Sequence, residues 1–303
     1  MKDENDVVAG VTPYFEPDQF PPLSATVQAA FGACSRPGPG RTNTDHFAVL
    51  RLGRNQETLL TSLPDEVIAK RFDEYGYAMV VADGVGAAGG AERASHLAIA
   101  TLVYLIRHFA KWNLRVDDAI GTEIMARAER FYRHIDSTVA YEQQRGSAAT
   151  AQTTLTATYG AGRDLFFAHV GHSRAYLFRD GQLMRLTRDH TIGRSGQSGV
   201  PLGPMIDINT TARDLRHILT DTMGMTGPVG PGIDLERLQL DDGDRVLVCT
   251  NGLTDAVEEA KIAEILADDA TPDAHARTLV DLAMASGGED DATALVGRYH
   301  VPD

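Results

Sequence analysis

The chain has 303 residues, of which 43% are hydrophobic and 23% charged, so it can bury a large core. Its formal net charge of −14 argues against nucleic acid and anionic membranes as partners. The apolar runs are too short to span a bilayer, and Met1 to Asp6 lacks the apolar region of a signal peptide. Two cysteines, Cys34 and Cys249, exclude a disulfide framework. We therefore predict a soluble, cytoplasmic protein.

The chain divides into an irregular lead-in, residues 1–24, and a single domain over residues 25–303. Two long helices are predicted from apolar stripes over 94–109 and 120–139, with further helical segments within 260–285. Apolar runs predict strands at 25–34, 47–52, 77–82, 153–159, 165–170, 175–178, 183–186, 246–249 and 292–299.

Two further features concern loops. Asp180-Gly181 is a strong hairpin signal between two of these strands. Residues 188–231 form a long segment rich in Gly, Pro, Ser and Thr, and a loop of this length within a compact domain is usually functional. The order of strands, two helices, many strands, helices and a last strand favours an α+β layered domain over a parallel βαβ fold.

Oxygen-bearing side chains stand at the ends of apolar strands that are distant in sequence. Asp45 precedes one strand, Asp83 ends another, Asn251 follows a third, and Asp290 and Asp291 precede the last. Each residue alone is a common turn or cap residue. Their repeated placement favours convergence on hard cations, because strand ends in one sheet lie close together and such cations prefer oxygen ligands.

Two other chemistries have weaker support. Residues 84–89 match the dinucleotide fingerprint G-x-G-x-x-G, but Asp83 would lie beside the pyrophosphate and no acidic residue ends a second strand about 20 residues later. A cysteine-dependent phosphatase would need an anion-binding loop after Cys34. Pro37 and Pro39 remove two N–H donors from that loop, so Cys34 is interpreted as a strand residue and Cys249 as a core residue.

Seven short motifs occur in an order that is typical of one family, and together they span nearly the whole chain, from about residue 25 to 299. The chain resembles the metal-dependent protein phosphatases of the 2C type, with a bacterial character. The motifs are Arg41-Thr42-Asn43-Thr44-Asp45, Val81-Ala82-Asp83-Gly84-Val85-Gly86, Thr153-Thr154-Leu155, Gly171-His172-Ser173-Arg174-Ala175-Tyr176-Leu177, Leu186-Thr187-Arg188-Asp189-His190, Cys249-Thr250-Asn251-Gly252-Leu253-Thr254-Asp255 and Asp290-Asp291-Ala292-Thr293.

This resemblance implies a four-layer α-β-β-α sandwich of two antiparallel sheets flanked by helices. It implies hydrolysis of phosphoserine and phosphothreonine in proteins by a water that bridges two Mn²⁺ or Mg²⁺ ions, without a phosphoenzyme. The implied substrates are proteins phosphorylated by a Ser/Thr kinase, and the implied state is a monomer. The segment 188–231 overlaps the flap of the family, a surface for substrate choice.

The resemblance also assigns residues. Asp83 would bridge the two ions, the Gly84 carbonyl and Asp290 would each reach one ion, and Asp45 would act mainly through bound water. Asp45, Asp83 and Asp290 are thus the expected catalytic residues. Arg41 is the expected phosphate-binding residue, because a guanidinium holds two phosphoryl oxygens at once. It lies one residue nearer Asp45 than the usual family arginine, and a plain solvated loop charge is the alternative interpretation.

Two departures from the family pattern affect the metals. Asn251 replaces an Asp ligand and keeps an oxygen but no charge. His172 replaces the Asp that helps hold a third ion in bacterial members, so Asp255 is the remnant of that site. We expect the two core ions to be kept and the third site to be lost or altered. His172 is either a structural histidine or a ligand for a softer ion.

These losses motivate a second hypothesis, a pseudophosphatase that binds phosphoproteins without hydrolysing them. Retention of Asp45, Asp83 and Asp290 speaks against it. A nicotinamide-dependent oxidoreductase, which would bind NAD, rests on the glycine run alone.

Overall fold

The computed structural model describes residues 27–64, 71–86, 88–111, 116–145, 151–192, 218–225 and 230–302. The lead-in at 1–24 and most of the segment at 188–231 lie outside the described residues, so the predictions made for them stay predictions. The strands are β1 (Gln28–Arg36), β2 (Asp45–Glu57), β3 (Arg71–Val85), β4 (Gln152–Thr153), β5 (Leu155–Ala161), β6 (Asp164–Val170), β7 (Arg174–Arg179), β8 (Gln182–Arg185), β9 (Asp234–Gln239), β10 (Arg245–Cys249) and β11 (Ala292–His300). The helices are α1 (Ala88–Phe109), α2 (Asp118–Arg145), α3 (Asn251–Thr254), α4 (Glu259–Ala267) and α5 (Pro272–Ala285).

The strands form two sheets whose pairings are antiparallel throughout. The first sheet has the order β1-β11-β10-β7-β8. The second has the order β2-β3-β5-β6-β9, and the short β4 also pairs with β3. A hairpin joins β7 directly to β8, and its turn places Asp180 and Gly181 at φ of 51° and 77°. Two successive positive φ values are those of the tight hairpin turn that the Asp-Gly pair predicted.

Three apolar layers hold the elements in a stack of helices, sheet, sheet and helices. Residues of β3 alternate between two of these layers, so that Val80 faces α1 and α2 while Met79 and Val81 face the other sheet. A third layer packs β10 and β11 against α4 and α5, with Leu279 among its buried residues. Because both faces of the central strands are covered, these strands are hydrophobic without strict alternation. The predicted α+β sandwich is confirmed.

Close backbone approaches fix the helices on the sheets. A side chain at Gly32 in β1 would meet backbone atoms of Asp273 in the first turn of α5 at 2.1 to 2.2 Å. That turn is capped by the Thr271 hydroxyl, which accepts the Ala274 N–H, and Pro272 follows at the first helical position. At Gly84 a Cβ would lie 2.4 Å from the Ala91 carbonyl oxygen of α1. No helix in the described part of the chain is long and apolar enough to cross a membrane.

Most predicted elements are present, and two short ones were missed. The strand β9 was not predicted, because its sequence Asp-Leu-Glu-Arg-Leu-Gln carries alternating polar residues of an edge strand rather than an apolar run. The four-residue helix α3 was also missed, since one turn leaves no periodic pattern. The hairpin of β2 and β3 extends well beyond the predicted 47–52 and 77–82.

Candidate metal centre

The predicted oxygen ligands meet at one end of the sandwich. Asp45 begins β2, and its direct cross-strand neighbour on β3 is Asp83. In the other sheet, Asn251 follows β10 and Asp290 precedes β11, two strands that pair with each other. The Thr250 hydroxyl donates to Asp45 Oδ2 at 2.8 Å, which joins the end of one sheet to the end of the other. The strand ends that carry these residues therefore lie together, and their role as metal ligands stays a prediction.

Asp45 is buried, with 6% of its surface exposed. Its Oδ2 accepts two hydrogen bonds, from the hydroxyls of Thr250 at 2.8 Å and Thr293 at 2.7 Å. Its Oδ1 is also buried and accepts none. Loss of hydration on burial raises the pKa of Asp45 to about 7, the two hydroxyl donors lower it, and the neighbouring Asp291 and Asp290 charges raise it further.

Asp83 is held through its backbone by the segment that begins β5. Its N–H donates to Thr154 Oγ1 at 3.1 Å, and its carbonyl accepts the Thr153 hydroxyl at 2.8 Å and the Thr154 N–H at 2.9 Å. Burial raises the pKa of the Asp83 carboxyl well above its usual value, and the charges of Asp45 and Asp290 raise it further. A bound cation would reverse this effect, because it favours the ionised carboxylates.

The two neighbouring acids of the last motif have different surroundings. Asp291 is buried and accepts three hydrogen bonds, from the Gly38 N–H at 2.8 Å, the Thr44 N–H at 2.7 Å and the Thr44 hydroxyl at 2.9 Å. It therefore fixes the loop before β2. Asp290 is partly exposed and pairs with Arg41, whose Nη1 lies 2.7 Å from Asp290 Oδ1. Arg41 is therefore an ion-pair partner of a predicted metal ligand.

The residues that depart from the family pattern also lie at this end. The Asn251 amide donates to Asp255 Oδ2 at 3.1 Å, and this bond leaves Asn251 Oδ1 buried without a donor. His172 is buried, and its Nδ1 lies 3.7 Å from Asp83 Oδ2. The imidazole thus occupies the position next to the predicted bridging carboxylate. Gly252 contributes to the close fit, since a Cβ there would lie 2.1 Å from the Asp291 carbonyl oxygen.

The donor set fits hard divalent cations. Asp45 Oδ1 and Asn251 Oδ1 are buried oxygens that accept no hydrogen bond, which costs about 1 to 3 kcal/mol each when no ion is bound. Carboxylate, amide and backbone carbonyl oxygens are ligands that Mg²⁺ and Mn²⁺ accept. Within the described residues, no three His, Cys, Asp or Glu side chains are already grouped to hold an ion.

Sequence reasoning located the acids but missed the residues that orient them. Thr250 and Thr293 belong to two of the seven family motifs, yet no role was predicted for either. The available signal was their position, since each is adjacent to or three residues from a predicted oxygen ligand. Asp291 was grouped with Asp290 as a candidate, and the structure assigns it a hydrogen-bonding role in the loop instead.

The structure does not support the two alternatives, dinucleotide binding and a cysteine-dependent phosphatase. β3 pairs antiparallel with both β2 and β5, so residues 84–89 do not open a βαβ unit of the dinucleotide-binding kind. Cys249 is fully buried, and burial raises the pKa of its thiol to about 12. Cys34 is a half-buried residue of β1. Both cysteines are strand residues, as predicted.

The chain is similar to known phosphatases in sequence and in structure. The family model described as protein phosphatase 2C matches residues 61–283. The serine/threonine protein phosphatase PstP of Mycobacterium tuberculosis is 31% identical over 220 residues, which are 72% of this chain and 39% of that protein. The chain thus spans less than half the length of this relative.

Two further comparisons cover most of the similar protein. The serine/threonine phosphatase stp of Listeria innocua is 27% identical over 218 residues, which are 72% of this chain and 82% of that protein. A crystal structure of the catalytic domain of PstP in complex with two manganese ions is 26% identical, with a TM-score of 0.66. That similarity covers 91% of this chain and 100% of the solved domain.

Proposed function

Because the chain belongs to the protein phosphatase 2C family, as its motifs predicted, we propose that it removes phosphate from phosphoserine and phosphothreonine in proteins. The observation that carries the proposal is the meeting of Asp45, Asp83, Asp290 and Asn251 at one end of the sandwich, with two buried oxygens that accept no hydrogen bond. The named relatives are serine/threonine phosphatases, which supports the same reaction.

We infer a site for two Mn²⁺ or Mg²⁺ ions held by Asp45, Asp83, the Gly84 carbonyl, Asn251 and Asp290. The ions would supply a water of lowered pKa and would screen the charge of the phosphoryl oxygens. Support comes from the solved PstP domain, which contains two manganese ions. The protein's own contribution is to hold two buried carboxylates side by side, although burial and the charges of neighbouring acids raise their pKa values.

The third site of bacterial members is proposed to be lost or altered. His172 and Asn251 carry no negative charge, and the Asn251 amide already bonds to Asp255. Two positions without a carboxylate would bind a hard cation weakly. Phosphoproteins made by a Ser/Thr kinase are the proposed substrates, and a cytoplasmic monomer is the proposed state.

The proposed reaction is tested with p-nitrophenyl phosphate and a phosphothreonine peptide. Hydrolysis of both should require Mn²⁺ or Mg²⁺ and should stop with EDTA, because the carboxylates alone cannot activate water. Mass spectrometry should show the dephosphorylated peptide and no phosphorylated protein during turnover. Peptide binding without turnover under either ion would instead support the phosphoprotein-binding module.

Arg41→Ala should raise the KM for the phosphothreonine peptide about tenfold, because a guanidinium contact to phosphate contributes roughly 1 to 2 kcal/mol. Half-saturation by Mn²⁺ should not worsen, since the substitution also removes the Arg41 pairing with Asp290. Steady-state kinetics over both peptide and Mn²⁺ separate the two effects. Arg36→Ala is the matched control, since Arg36 is a similarly exposed arginine paired with Asp281. An unchanged KM in Arg41→Ala would make Arg41 an ordinary surface charge.

A further inference from the structure

The hydroxyls of two threonines from the first sheet converge on one oxygen of Asp45 in the second sheet. Thr250 follows β10 and Thr293 lies in β11, and both are fully buried. Each Oγ1 lies within 2.8 Å of Asp45 Oδ2, and neither bond is exposed to water. The other Asp45 oxygen, Oδ1, receives no donor.

The direction of the Thr250 bond is fixed by its surroundings. The Thr293 N–H donates to Thr250 Oγ1 at 3.0 Å, so this hydroxyl oxygen already accepts one hydrogen bond. Its single proton is therefore available for Asp45 Oδ2. Because a backbone N–H cannot accept a hydrogen bond, Thr250 Oγ1 must accept from the Thr293 N–H and donate to Asp45 Oδ2.

The Thr293 hydroxyl is joined to a longer chain of hydrogen bonds. The Asp45 N–H donates to Asn43 Oδ1 at 3.0 Å, which leaves the Asn43 amide group to donate to Ser35 Oγ at 2.9 Å. Ser35 Oγ lies 2.7 Å from Thr293 Oγ1, its cross-strand neighbour, and it is the donor in this contact when the single Thr293 proton goes to the Asp45 carboxylate. An ionised carboxylate can only accept, so the Thr293 proton points to Asp45 Oδ2.

We propose that Thr250 and Thr293 are positioning residues that hold Asp45 Oδ2, so that Oδ1 alone is presented to the cation side of the site. The inference rests on the proposed function, and it concerns residues that contact neither substrate nor ion. Ser35 and Asn43 act one step further away, because they direct the Thr293 hydroxyl. Hydrogen-bond partners of metal ligands typically change metal affinity by about 10- to 100-fold when they are removed.

Mn²⁺ binding measured by isothermal titration calorimetry, without substrate, tests this role. Thr293→Val keeps the shape of the side chain and removes the hydroxyl, and it should weaken Mn²⁺ binding at least about tenfold. Thr293→Ser restores the hydroxyl and should bind within about twofold of the unaltered protein. Thr158→Val is the matched control, because Thr158 is an equally buried strand threonine whose Oγ1 has no hydrogen-bond partner.

Two further measurements keep the test decisive. Ser35→Ala, which leaves Thr293 intact, should weaken Mn²⁺ binding by about threefold if the chain of donors directs the hydroxyl. In assays, the half-saturating Mn²⁺ concentration of Thr293→Val should rise while kcat at saturating Mn²⁺ stays within about threefold. Unchanged Mn²⁺ binding in both Thr293→Val and Ser35→Ala would overturn the proposal. Because the titration contains no phosphoester, a protein that binds Mn²⁺ but hydrolyses nothing would refute the phosphatase function alone.

Discussion

Asp83→Asn should lower kcat for the phosphothreonine peptide by about a thousandfold, because weakening a bridging cation site removes several kcal/mol of transition-state stabilisation. Asparagine keeps the size of the side chain and one oxygen, but it lacks the negative charge with which Asp83 would bind two cations. The site is crowded with acids, and burial and the Asp45 charge raise the pKa of Asp83. The same substitution should therefore raise the melting temperature of the metal-free protein at pH 8, since a buried carboxylate is replaced by a neutral amide.

Opposite effects on activity and on metal-free stability separate a metal ligand from a residue that only supports the fold. Single-turnover kinetics with Mn²⁺ and thermal unfolding in EDTA measure the two quantities. Asp269→Asn is the control, because Asp269 is an exposed acid that pairs with Arg298 at the opposite end of β11. A loss of activity in Asp83→Asn that is accompanied by a lower melting temperature in EDTA would contradict the assignment and indicate a structural role.

The location of the site could be predicted from the sequence because it depends on strand ends. Asp45 and Asp83 flank apolar runs, and antiparallel pairing places the start of one strand beside the end of the next. Asn251 and Asp290 obey the same rule in the other sheet. The order of the seven motifs then identified the family, which single motifs could not do.

The interactions within the site could not be predicted, because they depend on which side chains face each other across the sheets. The sequence does not show that Thr293 of one sheet donates to Asp45 of the other, a contact between residues 248 positions apart. The pairing of Arg41 with Asp290 is equally non-local. The extended hairpin of β2 and β3 was underestimated because its outer part is held by cross-strand pairs such as Arg54 with Glu74, rather than by an apolar pattern.

Metal-free protein should lose stability as the pH rises through the range in which Asp45 ionises. The pKa of Asp45 is about 7 in the folded protein and 3.8 as its ordinary value, with burial as the main cause. Because the carboxyl pKa is higher in the folded state, the folded protein keeps this proton to a higher pH than the unfolded chain does. The stability associated with protonated Asp45 is therefore fully present below about pH 4 and is lost as the pH rises to 7. Between pH 5 and 8 the loss from Asp45 amounts to about 3 kcal/mol.

Buried histidines make the folded state more stable as the pH rises, which is opposite to the effect of Asp45. The measurement must therefore cancel the contribution of the histidines. Burial lowers the pKa of His169 to about 3, so this residue favours the folded state more as the pH rises towards 6.5. Urea unfolding in EDTA should therefore compare the unaltered protein at each pH with a double variant, Asp45→Asn with Asp83→Asn, since both proteins contain the same histidines and the variant lacks both neighbouring buried carboxyls. The free energy of unfolding of the unaltered protein, relative to that of the double variant, should fall by about 3 kcal/mol from pH 5 to pH 8.

Added Mn²⁺ should reverse this loss, because the cation binds the ionised carboxylates and so displaces protons from the folded state. The increase in melting temperature produced by Mn²⁺ should be larger at pH 8 than at pH 5 in the unaltered protein, and this difference should shrink in Asp45→Asn. A relative stability that is flat with pH, or an Mn²⁺ effect that is equal at both pH values, would show that Asp45 is already ionised without metal. In that case the two threonine hydroxyls alone would outweigh the cost of burying the charge, and the carboxylate would be held ready for the ion before it arrives.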